Sequence, residues 1–150
     1  MTAKRLILMV EDNPDDELLT LDALRKAETS CEIAITRDGA EALDYLFADG
    51  AHAGRDLNVQ PCVVLLDLKL PKISGFDVLA RIRADRRTRW MPVVLLTSSS
   101  EEEDIVRGYA SGANSFVRKP VDFDSFLKSM RHLGEYWLTV NQVPQADWSL

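Results

Sequence analysis

Short apolar runs, each closed by polar residues and separated by helical patterns, restrict what this chain can fold into more than any other feature. Leu6-Ile7-Leu8-Met9-Val10 is followed by Glu11 and Asp12, and Cys62-Val63-Val64-Leu65-Leu66 by Asp67. Val93-Val94-Leu95-Leu96 is followed by Thr97 and Ser98, and a shorter run by Lys119 and Pro120. Runs this short and this uniformly apolar read as strands buried on both faces, as in a parallel sheet covered by helices. Parallel strands deliver their C-terminal ends to one edge. Acid, acid, hydroxyl and amine then meet where open α/β sheets place their chemistry.

The segments between the runs have helical spacing. Asn13-Pro14-Asp15-Asp16 opens a first helix that runs to about Ala27, with Leu18, Leu21 and Leu24 as its inward stripe, broadened by Leu19. A weak strand at Glu32 to Thr36 leads to a second helix facing inward through Ala42, Leu43, Leu46 and Phe47. Ala48 to Gln60 breaks the rhythm and reads as an exposed loop, with His52 in solvent. Beyond Pro71-Lys72-Ile73-Ser74-Gly75, a third helix turns Phe76, Leu79 and Ile82 inward; a fourth spans about Glu101 to Ala110 and a fifth about Asp122 to Leu138. The fifth strand is Ser115 to Arg118. Five strands alternating with five helices, joined by right-handed crossovers, make a doubly wound α/β sandwich.

With 150 residues the chain reads as one domain, without an appended DNA-binding module. Eighteen basic against twenty-four acidic residues leave a net charge of −6. No basic block offsets it: Arg81, Arg83, Arg86, Arg87 and Arg89 are interrupted by Asp85 and read as a solvated helix end and loop. Nucleic acid is therefore not the expected partner, because neutralising phosphates takes clustered Lys and Arg. The first apolar run is too short for a signal-peptide core or a membrane span, and Cys31 and Cys62 are too far apart for a metal motif and read as unpaired thiols. A cytoplasmic protein is expected.

Glu11, Asp12 and Asp67 drawn together would repel one another unless a cation sits among them. A set of carboxylates, a loop carbonyl and waters suits a hard divalent ion such as Mg²⁺, and no Cys or His cluster supports zinc. Asp15 and Asp16 read instead as helix-capping or solvated acids. Lys119 is a point charge able to pair with a carboxylate at rest and with a phosphoryl oxygen during transfer.

Val10-Glu11-Asp12-Asn13, Leu66-Asp67-Leu68-Lys69-Leu70-Pro71 with Gly75, Leu96-Thr97-Ser98-Ser99 and Val117-Arg118-Lys119-Pro120 resemble the response-regulator receiver domain of two-component signalling, over about residues 5 to 135. The resemblance implies a flavodoxin-like sheet of strand order 2-1-3-4-5 and a phosphoacceptor rather than an enzyme. Asp67 would take a phosphoryl group from a sensor histidine kinase. Asp12, Glu11 and the Lys69 backbone carbonyl would join Asp67 in holding Mg²⁺, Thr97 and Lys119 would contact the phosphoryl oxygens, and Phe116 would be the switch aromatic on a face made by helix 4, strand 5 and helix 5. It also implies a cis Lys119–Pro120 peptide. The Lys69 side chain shields the acyl phosphate, competes with the metal, or points to solvent. Ser98 is small enough to leave access for a donor imidazole.

Rival readings fit less well. A haloacid dehalogenase-like phosphatase needs a second acid two residues after its nucleophile, and that position holds Lys69. A flavodoxin-like flavin site needs hydroxyls and glycines in its first loop, whereas Glu11-Asp12-Asn13-Pro14-Asp15-Asp16 would repel a phosphate. A phosphorelay intermediate and a phosphorylation-independent adaptor on the same fold stay open. The loop before strand 3 and Leu133-Gly134-Glu135-Tyr136-Trp137-Leu138 resemble the single-domain regulators associated with bacterial phytochrome kinases. The receiver domain is expected over 5–138 and a C-terminal tail over 139–150. A fifth helix of about 17 residues overshoots its strand, so the stripe Phe123, Phe126, Met130, Leu133 and Trp137, continued by Tyr136, Leu138 and Trp148, is expected to form a homodimer surface.

Overall fold

The computed structural model describes residues 5–27, 31–99, 101–119 and 122–144. Leu6–Val10 (β1), Glu32–Thr36 (β2), Val63–Leu66 (β3), Val93–Thr97 (β4) and Ser115–Arg118 (β5) form one sheet, all neighbours parallel, in the order β2-β1-β3-β4-β5. The helices are Pro14–Lys26 (α1), Gly39–Phe47 (α2), Gly75–Ala84 (α3), Glu102–Ala110 (α4) and Phe123–Glu135 (α5). Fold class, strand order and element sequence are those expected. No helix among the described residues is long and apolar enough to cross a membrane.

The central strands are buried throughout because both faces carry helices. Side chains alternate across a strand. Leu8, Val10, Val64, Leu66, Val93 and Leu95 therefore pack with Ala42, Leu46, Phe76, Val78, Leu79 and Ile82 from α2 and α3. Ile7, Val63, Leu65, Val94 and Leu96 pack on the other face with Ala23, Leu24, Phe126, Met130 and Leu133 from α1 and α5. The inward faces predicted for α2 and α3 are borne out.

Helix α1 is a correction. Leu18 is 64% and Leu19 39% exposed, and the residues buried on this helix are Thr20, Ala23 and Leu24. Small Ala23 and Thr20 let α1 sit close to the sheet, so Leu24 alone of the expected stripe is buried, Leu21 is half-buried, and Leu18 and Leu19 are rotated towards water. The loop after α2 is also more structured than its composition suggests. It contains a 3-10 turn at Gly50–His52, and His52 is only partly exposed, with Nε2 3.2 Å from Glu41 and its ring edge-on to Tyr45. Arg55 lies 3.9 Å over the other partner of that contact, the Tyr45 ring, and donates to the Tyr45 carbonyl. A polar segment thus folds back on α2 through its own aromatic and charged residues.

Arg83 likewise departs from a solvated arginine run. Its guanidinium donates to the carbonyls of Gly112, Arg89 and Met91 and to Asn114 Oδ1, pinning the loop after α3 to the turn before β5. At the C-terminus α5 runs on into a π-helical turn, Tyr136–Val140, closed by Asn141 N–H donating to the Tyr136 carbonyl at 2.7 Å. Phe126, Met130 and Leu133 of the expected dimer stripe are buried in the chain's own core, with Phe123 and Trp137 packed against it, and the wider turn brings Leu138 inward too, while Tyr136 and Val140 stay 47% and 57% exposed. Trp148 and the Lys119–Pro120 peptide lie outside the described residues.

Candidate functional site

Register places the chemistry at one edge. Val10 pairs with Leu66, so Glu11 and Asp67 leave adjacent strands side by side, and Asp67 N–H donates to the Val10 carbonyl at 3.2 Å. Thr97 ends β4, and Lys119 N–H donates to the Thr97 carbonyl at 2.8 Å. Gly75 at the start of α3 keeps the Asp67 backbone in place: a β-carbon there would lie 2.3 Å from the Asp67 carbonyl oxygen. Only glycine permits that approach.

Glu11, Asp12 and Asp67 offer ligand oxygens that all lie within 4.8 Å of one another. Lys119 is the organising cation. Its Nζ donates to Glu11 Oε2 at 3.0 Å, Asp16 Oδ2 at 3.1 Å and Asp67 Oδ2 at 3.4 Å. Burial disfavours that ammonium, but Asp67 and Glu11 outweigh burial and hold its pKa above the ordinary lysine value. Glu11 responds in the opposite sense to an ordinary salt-bridged acid. Desolvation and the neighbouring Asp67 charge push its carboxyl up to about 7, against the lowering effect of Lys119. Three acidic side chains bonded to one ammonium, with Asp12 beside them, leave the pocket short of positive charge, and oxygen-only donors make a divalent hard cation the fitting complement.

The other expected residues occupy distinct places. Asp12 is exposed at the mouth. The Lys69 side chain is exposed too, while its amide donates to Asp67 Oδ1 at 3.2 Å and orients that carboxylate. Thr97 is 1% exposed and its Oγ1 accepts from Ser99 N–H at 3.3 Å. Phe116 stands on β5 away from the carboxylates, half-buried against the α2/α3 side of the core.

Asp16 was read as a capping or solvated acid and instead contacts Lys119. The local cause is the cap: Asn13 Oδ1 accepts from Asp15 and Asp16 N–H at 2.9 and 3.2 Å, and Pro14 starts α1 immediately after the strand. Asp16 therefore falls in the first turn of α1, from which its side chain reaches Lys119. Asp104 was also missed; Ser99 Oγ donates to its Oδ2 at 2.6 Å and ties the β4 exit to α4.

The chain and its fold match known proteins. The Response regulator receiver domain family matches residues 7–131. The response regulator Rcp1 of Synechocystis sp. is 32% identical over 142 residues, covering 95% of each chain. Its Mn²⁺-bound crystal structure superposes with a TM-score of 0.83 at 31% identity, covering 93% of this chain and 99% of that one. The phosphorylated cyanobacterial phytochrome response regulator RcpA gives a TM-score of 0.86 at 34% identity over 95% of this chain and 99% of its own. The bacteriophytochrome response regulator AtBRR is 49% identical, with a TM-score of 0.76 over 94% of this chain and 100% of its own. The chain belongs to the response-regulator receiver family, a family of two-component signalling proteins, and its structural neighbours include phytochrome-associated regulators.

Proposed function

We propose that Asp67 accepts a phosphoryl group from the phosphohistidine of a sensor kinase, and that the added charge redirects Thr97, Lys119 and Phe116. The observation that carries this is the Asp67 carboxylate at the sheet edge, held by the Lys69 amide and facing Lys119 Nζ at 3.4 Å. In the transfer, one Asp67 carboxylate oxygen forms the new P–O bond as the donor P–N bond breaks, and the leaving imidazole takes up a proton. Lys119 pairs with the phosphoryl oxygens, and Thr97 Oγ1 exchanges its bond from Ser99 for one to the phosphoryl group.

Glu11, Asp12, Asp67 and the Lys69 carbonyl are the residues that would hold Mg²⁺. Mg²⁺ bound there supplies neutralisation of the charge that builds on the transferring group. The Mn²⁺-bound relative supports a divalent site of this kind. The phosphorylated and bacteriophytochrome-linked relatives support a bacteriophytochrome kinase as the phosphodonor. The protein acts in the cytoplasm on protein partners, consistent with its net charge of −6. Residues 5–138 constitute the receiver domain, and the surface around Tyr136 and Val140 with the 139–150 tail joins two copies in a homodimer.

The test is labelling with acetyl phosphate and Mg²⁺, followed by Phos-tag gels and intact mass. The wild type gains one phosphoryl group and Asp67→Asn gains none. Undiminished labelling of Asp67→Asn removes Asp67 as the acceptor.

A further inference from the structure

The resting Lys119 ammonium has three carboxylate partners, and one of them is not at a strand end. Asp16 reaches it from the first turn of α1, at 3.1 Å, closer than Asp67 at 3.4 Å. Asp67 and Glu11 are committed to the phosphoryl group and the cation in the reading above, on which this inference rests. Asp16 has no such commitment. Its side chain is 39% exposed, whereas Lys119 is 11% exposed, so the contact spans the rim of the pocket and its floor. Asp15, one residue earlier, carries the same charge on the same turn but is exposed, and its amide donates to Asn13 Oδ1.

We propose that Asp16 is a positioning residue that holds the Lys119 ammonium at the helix α1 side of the pocket and competes with the incoming phosphoryl group for it. Lys119 has three N–H donors and no acceptor capacity. At rest these donors serve Glu11, Asp16 and Asp67. A phosphoryl group arriving on Asp67 gains the ammonium fully only when one of these bonds is given up, and the bond to Asp16 is the one that neither the acceptor nor the cation site requires. Asp16 thereby sets how readily Lys119 turns to the phosphoryl oxygens.

The experiment compares wild type, Asp16→Asn, Asp15→Asn and Asp16→Glu with phosphoramidate and Mg²⁺, following the phosphorylation rate over a range of donor concentrations. Asp15→Asn removes the same charge from the same helical turn, so it reports the general field and any loss of helix stability. Breaking a partly exposed ion pair corresponds to about a two- to fivefold rate change. Asp16→Asn is expected to raise the maximal rate by that factor with the half-saturating donor concentration unchanged, Asp15→Asn to stay at the wild-type rate, and Asp16→Glu to restore it. In parallel, the Lys119 side-chain Cε resonance shifts in Asp16→Asn and not in Asp15→Asn. Equal rates in all four proteins, a slower Asp16→Asn, or an equal gain in Asp15→Asn overturns the proposal. Failure of the phosphoacceptor reading is separately visible, as a wild type that takes no label at all.

Discussion

At the scale of single residues, the pocket is governed by an excess of carboxylate held under poor solvation. Glu11 shows this most clearly, because burial and Asp67 raise its pKa from 4.5 to about 7 despite the lysine beside it. A raised folded-state value means that the native state holds its proton more tightly than the unfolded chain. The associated stability is therefore complete below pH 4.5 and lost as the pH rises through about 7. Lys119 keeps its charge across that window, its own pKa being raised. With a chelator present, the melting temperature of the wild type should fall over this window more than that of Glu11→Gln. Added Mg²⁺ should stabilise the protein more at the upper end than at the lower, because ionised carboxylates are its ligands. Parallel pH profiles of melting temperature for wild type and Glu11→Gln would remove Glu11 as the source.

The strand-end residues were legible because a strand end is a fixed address: Glu11, Asp12, Asp67, Thr97 and Lys119 follow apolar runs in the sequence, and β-register alone brings those runs level. Asp16 was not legible in the same way. Its contact depends on the angle at which α1 leaves β1, which the Asn13 cap sets. Leu18 and Leu19 misled for a related reason. A helix packed through Thr20 and Ala23 turns these flanking leucines outward, and periodicity alone does not fix the rotation of a helix about its axis.

Among the elements, α4 is the one suited to move. It is nine residues long, and its described residues bury only Gly108. Gly108 packs directly on the sheet, where an added β-carbon would lie 2.7 Å from Leu95 Cδ1 and 3.4 Å from the Phe116 ring. Its start is tied to the β4 exit by the Ser99–Asp104 bond, and Ser99 also donates its amide to Thr97 Oγ1. A change at Thr97 therefore reaches α4 through Ser99 and reaches Phe116 through the packing under Gly108. Driving a two-state element from about 1:99 to 99:1 takes roughly 5.5 kcal/mol. Two charge-assisted hydrogen bonds, at about 1.5 to 3 kcal/mol each, are of that order. Gly108→Ala should displace Leu95, the strand neighbour of Phe116, and so blunt the switch. Hydrogen exchange in α4 and β5 is expected to change on phosphorylation in the wild type and to change at most half as much in the variant, with labelling of Asp67 retained. A full response in Gly108→Ala would exclude this packing route. Asp104→Ala should weaken the same coupling by releasing Ser99, and its α4 amides should exchange several-fold faster before any phosphorylation; unchanged exchange would show that the bond does not hold α4.

For the whole molecule, the sheet edge carrying the acids and the end carrying Tyr136 and Val140 are separate surfaces, so the proposed phosphorylation and the proposed dimer contact need not interfere. A groove of about 690 Å³ runs between β5 and the end of α5, lined by Val117, Lys128, His132, Leu133, Tyr136 and Trp137. The length of the last helical run was legible, but the π-helical turn was not, because a single wider turn carries no sequence period of its own. That turn hides Leu138 and leaves Tyr136 and Val140 as the exposed apolar positions. Light scattering at tens of micromolar should show a dimer for the wild type and a monomer for Tyr136→Ser/Val140→Ser, with the melting temperature of the variant's fold little changed. A wild-type monomer, phosphorylated or not, would end the dimer proposal.

The acyl phosphate itself gives the most direct test. Borohydride reduces an aspartyl phosphate to homoserine, so treating the protein after phosphodonor and Mg²⁺, followed by peptide mass spectrometry, marks the residue that carried the phosphoryl group. Homoserine at position 67 alone, dependent on both donor and Mg²⁺, is the predicted result. Homoserine at Asp12 or another aspartate, or at none, would contradict the assignment of this sheet edge as a phosphoacceptor site centred on Asp67.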